Sequence, residues 1–409
     1  MCQKERWLKV ILKNNYIKMF LGTIKRLPLF ISTIIPKKNN LYVFGAWFGQ
    51  KYSDNSRALF ELALKNNQLQ CVWITRNIEV YNFLKSQGLP VQMENSIRGI
   101  WTQLRAKVAI SCTGKDDFNS KLLGSSYHIE LWHGVGGGKT IGFDDEQYCS
   151  QMDTIRGRYY QKLEKYPYRN SYFICTSNVM KKVFMRAFRL PESHYIMAGQ
   201  PRNDMFYDEE YKISTIDISQ FKGRKVISYL PTHRKTGTKP IECDKLFDLK
   251  KLNDFCKDNG CIFVIKKHFY HKNEVENVGD YEYILDWSNC TDIDTNEFLM
   301  VTDYLISDYS SVATDYLLME RPVMYYCYDY KEYIENDRDM YWNYEDITPG
   351  PKVENFDQLM NSLNLIIRDN KDEYAEDRQR VLNMFYGKQA RKEVGEDILN
   401  YIGKLINKI

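Results

Sequence analysis

Short apolar, β-branched runs alternate with longer segments of helical spacing along almost the whole chain, and no other feature restricts the fold as strongly. The first half carries Leu41–Gly45, Gln70–Thr75, Val91–Met93, Lys107–Cys112, His128–Trp132, Tyr172–Cys175 and Tyr195–Ala198. The second carries Lys225–Leu230, Cys261–Lys266, Tyr283–Leu285, Tyr304–Ser307 and Val323–Cys327. Strand, helix, strand in this order returns the chain to the same end of a sheet, so the strands pair in parallel. The pattern predicts an α/β protein with two Rossmann-like parallel-sheet domains. Polar Tyr207–Gly223 separates the halves, which places the domains at residues 39–215 and 216–387. Residues 1–38 form a leading segment, and 388–409 a C-terminal helix that either crosses back or covers the second sheet. Open parallel sheets bind ligands beyond the carboxyl ends of their strands, so two such domains facing a cleft would hold a ligand between them.

With 409 residues, 44% hydrophobic and 27% charged, the chain has material for two full cores and lies outside the disordered, collagenous and multi-span membrane classes. Ten cysteines stand singly, and no early run resembles a cleavable signal, which reads as reduced thiols in a cytosolic protein. The net charge of +4 is unevenly spread: residues 1–38 hold nine Lys/Arg against Glu5, a net +8 that leaves the rest at −4. Trp7, Leu8, Ile11, Leu12, Tyr16, Met19 and Phe20 recur there at helical spacing, followed by apolar Leu27–Ile35, interrupted by Pro28, Ser32 and Thr33. Spanning a bilayer needs about 18 continuous apolar residues, which no window supplies. A basic amphipathic helix with aromatic residues lies in the headgroup plane of an anionic membrane. The other reading is a helix packed on the first domain with a solvated basic face. Nucleic acid is not an expected partner, because the basic residues stay in this one segment without a recognition motif.

Chemistry-bearing strings fall just after the strands. His133-Gly-Val-Gly-Gly-Gly-Lys-Thr140 approaches a phosphate-binding P-loop, but that loop requires glycine at its first position, and His133 stands there. An imidazole at a strand end, followed by glycines that admit a substrate close to the backbone, fits better. In Gly199-Gln-Pro-Arg202-Asn-Asp204, Arg202 is either a fork for phosphate or a solvated turn residue, with Asp204 a helix cap. Pro231-Thr232-His-Arg234-Lys places a hydroxyl and two cations at the end of the second domain's first strand, a phosphate-site composition. Lys266-Lys267-His268 ends another strand at the topological point that His133 occupies in the first domain. Ser310 and Ser311, with Asp315 a turn later, follow Ser307-Asp308-Tyr309 and would offer amides and hydroxyls to an anion. Asp292-Ile-Asp294 has the look of a metal motif, but it precedes a helical stretch instead of following a strand, so Asp294 is expected to cap. No His/Cys/carboxylate cluster has metal-site spacing.

Taken in order, Trp132-His133-Gly134, Gly199-x-Pro-Arg202-x-Asp204, Pro231-Thr232-x-Arg234, Lys267-His268, Ser307-Asp308-Tyr309-Ser310-Ser311 with Asp315, and Arg321-Pro322 resemble the CDP-glycerol glycerophosphotransferase family. Tyr52-Ser-Asp-Asn55 is similar to a string in the first domain of that family. The resemblance implies a GT-B-like architecture and a CDP-glycerol or CDP-ribitol donor. It also implies a prenyl-diphosphate-linked acceptor at the cytoplasmic face of the membrane, with a teichoic acid or phosphate-containing capsule as product. It maps two functional histidines onto His133 and His268, and phosphate-binding positions onto Arg202, Thr232, Arg234, Ser310, Ser311 and Asp315. Trp132, Gly134, Pro231 and Lys267 complete the expected substrate-binding set. No cofactor is expected, a homo-oligomer is compatible with the sequence, and the additional domain of long polymerases is expected to be missing. The competing readings are a GT-B glycosyltransferase using a nucleotide sugar and, from other classes, a P-loop NTPase or a non-catalytic membrane scaffold.

Overall fold

The computed structural model describes residues 15–135, 138–164, 170–232, 241–267, 281–290, 293–336 and 340–407. The chain forms two compact units, each built on an all-parallel sheet. In the first, β1 (Lys38–Phe44), β2 (Gln70–Thr75), β3 (Val91–Met93), β4 (Ala106–Ser111), β5 (Tyr127–Glu130), β6 (Ser171–Cys175) and β7 (Tyr195–Met197) lie in the order 3-2-1-4-5-6-7. In the second, β8 (Lys225–Tyr229), β9 (Cys261–Ile265), β10 (Ile284–Asp286), β11 (Tyr304–Ser307), β12 (Val323–Tyr326) and β13 (Lys352–Val353) lie in the order 10-9-8-11-12-13. Each order reverses beside its first strand, between β1 and β4 and between β8 and β11, which is where open parallel sheets make their binding crevices.

All twelve expected runs are strands, shifted at the ends by at most a few residues. The strand left out, β13, has two residues and is too short to show any periodicity. Parallel strands covered on both faces read as unbroken apolar runs, and Cys261–Ile265 is buried at every position. The first core joins Phe44, Trp73, Ile110 and Ile129 to Leu59 and Phe60 of the helix Asp54–Ala63 and to Ile398 and Ile402 near the C-terminus. The second joins Tyr229, Phe263, Ile306 and Met324 to Phe255, Leu359 and Leu363.

The first unit comprises residues 1–133, 141–204 and 392–409, and the second 134–140 and 205–391, so the division falls after Asp204 instead of at 215/216. Polar composition at Tyr207–Gly223 has another cause. The Tyr211 phenol, and the amides and hydroxyls of Ser214 and Thr215, all donate to the buried carboxylate of Glu297, at 2.6–3.0 Å, tying that stretch to the second unit. The C-terminal helix Val394–Asn407 crosses back to the first unit. Its first amides, on Val394 and Gly395, both donate to Asp204 at 3.0 Å. Asp204 does cap a helix, one lying almost 200 residues downstream.

The leading segment, described from residue 15, is two helices, Asn15–Ile24 and Leu27–Ile34, with Pro28 in the first turn of the second. One face packs: the Arg26 guanidinium lies 3.8 Å from the Tyr160 ring centre, and the Gly124 amide donates to Ser32 Oγ at 2.8 Å. Gly22 lets the helix cross close to Tyr160: a Cβ there would stand 1.7 Å from the phenol oxygen and would have to displace that side chain. Another face stays open, with Tyr16 and Ile34 each 79% exposed and Phe20 65%. Among the described residues no helix is long and apolar enough to cross a membrane.

Removing the distal cap tests this architecture. Asp204→Ala is expected to cost about 1–2 kcal/mol, a Tm reduction of a few degrees. Amide exchange over 394–402 should accelerate ahead of the rest of the first unit; unchanged exchange there would show that the cap does not hold the helix.

Candidate active site

The chain leaves β5 at Glu130 and turns sharply. Trp132 adopts φ +63°, a left-handed conformation that costs a bulky residue about 1–2 kcal/mol. Its N–H donates to Glu130 Oε1 at 3.0 Å, and its carbonyl accepts from Asn55 Nδ2 at 2.9 Å. The indole packs against Phe184 and Phe188 and stacks on the His133 imidazole, with ring centres 4.9 Å apart and a 28° tilt. Nδ1–H of His133 donates to the carbonyl of Cys112 at 2.9 Å. A carbonyl only accepts, so in the neutral ring the proton sits on Nδ1 and Nε2 keeps its lone pair.

Around this turn the loops are pinned by carboxylates. Asp117 is buried and accepts the amides of Cys112, Thr113 and Phe48, at 2.7–3.0 Å. Asp54 accepts the Trp47 indole N–H at 3.1 Å and pairs with Arg202. Arg202 also donates from Nη1 to the His133 carbonyl at 3.2 Å and from its amide to Asn55 Oδ1 at 3.1 Å. Its guanidinium is therefore a strut between the β7 turn, Asp54 and His133; it is not a solvated turn residue. Of ten described non-glycine residues with left-handed backbone, Trp47, Phe48, Asp54 and Trp132 fall at this one end of the sheet. Such strain persists only where surrounding bonds over-determine it, and it concentrates at functional sites.

Glu130 is 1% exposed. Ser111 Oγ lies 2.6 Å from its Oε2 and 2.6 Å from His128 Nε2, and His128 Nδ1 is 2.9 Å from Ser171 Oγ. Burial pushes the Glu130 carboxyl up to about 8 and the His128 imidazole well down, so both favour their neutral forms.

In the second unit, Asp308 plays the part that Asp117 plays in the first. Its Oδ1 accepts the amide and hydroxyl of Thr232, at 2.8 and 2.5 Å, and the amide of Tyr309 at 2.6 Å, joining the loops after β8 and β11. The Thr232 hydroxyl is thus committed inside the fold, beside buried Pro231. Ser310 Oγ accepts the Val312 amide at 3.3 Å, whereas Ser311, at the helix start, makes no side-chain cap bond. Gly134, grouped with this unit, approaches Ser311 so closely that a Cβ would lie 2.7 Å from its Oγ. Lys267 is buried at the end of β9. Asp315 is 3% exposed, and its carboxylate accepts from the Tyr386 phenol at 2.5 Å. Arg321 donates to the carbonyls of Met300 and Thr302, and Asp294 caps the helix Thr295–Val301 as expected. His268, Arg234 and Asp292 lie outside the described residues. Among those described, no group of three or more His, Cys, Asp or Glu is placed to hold a metal ion, and all nine described cysteines are free thiols.

These strand-end strings fall inside residues 28–404, the span matched by the family model for CDP-glycerol:poly(glycerophosphate) glycerophosphotransferase. The chain belongs to this family. Among its glycerophosphotransferase relatives, the teichoic acid glycerol-phosphate transferase of Staphylococcus aureus is 26% identical over 404 residues, covering 94% of this chain and 97% of the relative. The ribitol-phosphate polymerase TarL of the same organism is 32% identical over 253 residues, 60% of this chain and 42% of TarL, so the chain spans less than half of that longer relative. The solved wall teichoic acid polymerase TagF shares the fold at TM-score 0.72 and 21% identity, covering 96% of this chain and 97% of that one. A MnaA–UDP structure from S. aureus shares the fold more distantly, at TM-score 0.55 and 11% identity over 90% and 97% of the two chains.

In this member of the family, sequence reading missed Glu130, Asp117 and the bonds of Asp54 and Asn55. The signal for Glu130 was present: His128 and Glu130 alternate inside an apolar parallel strand, where an ionisable group has no water to face. A pH series follows. The protonated Glu130 carboxyl stabilises the fold fully below its unfolded value near 4.5, and that contribution is lost as pH rises towards 8. Wild type is therefore expected to lose Tm relative to Glu130→Gln between pH 5 and 8; parallel melting curves across that window would refute the neutral carboxyl.

Proposed function

We propose that this chain transfers a polyol phosphate, glycerol phosphate or ribitol phosphate, from a CDP-activated donor to a hydroxyl of a membrane-linked glycan or polyol-phosphate acceptor, releasing CMP. The observation that carries the reading is His133, whose Nδ1–H is committed to Cys112, which leaves the lone pair of the neutral ring on Nε2. The acceptor hydroxyl attacks the β-phosphorus; its oxygen forms the new P–O bond, its proton passes to Nε2, and the bond from that phosphorus to CMP breaks with the electron pair leaving on CMP. CMP needs no proton to depart, because the second pKa of a phosphate monoester lies near ~6. Lys267, with Arg234 and His268 on the strength of the sequence resemblance, would hold the diphosphate and meet the charge of the transferring group. Ser310 and Ser311 would donate to phosphate oxygens from the loop after β11. Arg202, Thr232 and Asp315 shape the loops that carry these groups. With three cationic side chains assigned to the diphosphate, we propose that turnover needs no divalent cation.

The test is CMP release from CDP-glycerol and, separately, CDP-ribitol with a prenyl-diphosphate disaccharide acceptor, in the presence and absence of chelator. Acceptor-dependent CMP that survives chelation is expected from one donor. His133→Ala should lower kcat at least ~100-fold while donor binding is kept. Near-wild-type turnover by that variant would remove His133 from the role of base, and release of UDP or GDP from nucleotide sugars instead would move the activity to glycosyl transfer.

We further propose that the leading segment rests on the anionic inner face of the cell membrane. Supporting this are its +8 charge and the exposed stripe of Tyr16, Phe20, Ile31 and Ile34, which remains open although the opposite face packs on the first unit. Sedimentation with vesicles containing phosphatidylglycerol should exceed that with phosphatidylcholine alone and fall with salt. Phe20→Glu with Ile31→Glu should abolish it; equal binding to neutral vesicles would argue against an electrostatic surface.

A further inference from the structure

We infer that Glu130 and Asn55 are positioning residues for His133, acting through the two peptide groups that flank the Trp132 Cα, one held by each. The inference rests on the reading of His133 as the base. The left-handed turn at Trp132 is what directs His133 onto the Cys112 carbonyl, and a tryptophan relaxing towards negative φ would rotate the next peptide and carry Nδ1 off that carbonyl. The last main-chain bond along this strand is from the Leu131 N–H to the Ser111 carbonyl, at 2.8 Å, and at Trp132 side chains take over. Glu130 Oε1 accepts the Trp132 N–H, and Asn55 Nδ2 donates to the Trp132 carbonyl. Each clamp is itself fixed: Glu130 Oε2 by Ser111 Oγ, and Asn55 Oδ1 by the Arg202 amide. Both residues are buried to within 1%. Their bonds reach these peptide groups and leave the imidazole edge clear for an acceptor hydroxyl.

The orientation of the imidazole can be read without turnover, because an imidazolium stacked 4.9 Å from an indole quenches its fluorescence. The pH-dependent quench present in wild type and missing in His133→Ala reports the imidazole against its two neighbouring indoles, Trp132 and, with ring centres 5.6 Å apart, Trp47. Glu130→Ala and Asn55→Ala are expected to shift the midpoint of that quench by at least ~0.5 pH unit or abolish it. Both should lower kcat for CMP release by ~10–100-fold with KM for CDP-glycerol within about threefold. Glu130→Gln keeps an oxygen for the Trp132 N–H and should restore both readouts. Asn55→Asp keeps Oδ1 but cannot donate to the Trp132 carbonyl, and should behave as Asn55→Ala; it carries the test if Glu130→Ala does not fold. Quench curves that overlay wild type, or Glu130→Gln as impaired as Glu130→Ala, would overturn the inference. A wild-type protein that releases no CMP from either CDP-polyol would instead overturn the proposed reaction, and the fluorescence arm would still decide the clamp.

Discussion

Parallel strands leave the amides of the loops beyond their carboxyl ends without ladder partners, and here buried carboxylates take them. Asp117 holds three amides after β1 and β4, Glu130 the one after β5, and Asp308 two after β8 and β11. Asp204 and Glu297 do the same at greater sequence distance, for the C-terminal helix and for the stretch following the first unit. An unmade bond at a buried amide costs ~1–3 kcal/mol, so each carboxylate decides a loop path and does more than decorate it. The ends of the sheets, where ligands bind in open α/β folds, are therefore held in this protein by carboxyl groups moved inside.

That arrangement explains a division of labour among the polar residues of the family strings. Asp204, Asp308, Thr232, Arg202, Arg321 and Asp315 are spent on the protein itself. His133 differs: Nδ1 is committed to the Cys112 carbonyl, and among the described residues no bond to Nε2 accompanies it. A string of polar residues at a strand end thus mixes two kinds of group, the ones that shape the loop and the ones left over to do chemistry. Only the hydrogen-bond partners tell them apart.

Periodicity made the fold legible. Twelve strands could be read because each parallel strand is buried on both faces and shows as an apolar run, while β13, two residues long, could not. The division between the units, after Asp204, is not legible locally, because the polar stretch Tyr207–Gly223 belongs to the second unit, with Ser214 and Thr215 turned onto Glu297. At the candidate site, the position of His133 could be read, since a histidine followed by glycines at a strand end stands out locally. Its tautomer could not, because the Cys112 carbonyl lies 21 residues away. The same holds for Arg202, whose partner Asp54 is 148 residues distant.

The return of the C-terminal helix to the first unit also governs how the chain can be made. The first sheet is complete on the ribosome by Met197, but Ile398 and Ile402, which close its core beside Leu59 and Phe60, follow about 200 residues later. At roughly 5–20 residues per second that is a delay of roughly 10–40 s. Throughout it the nascent first unit carries an uncovered apolar flank and an Asp204 with no amides to cap, which makes this interval the one in which a chaperone has most to protect.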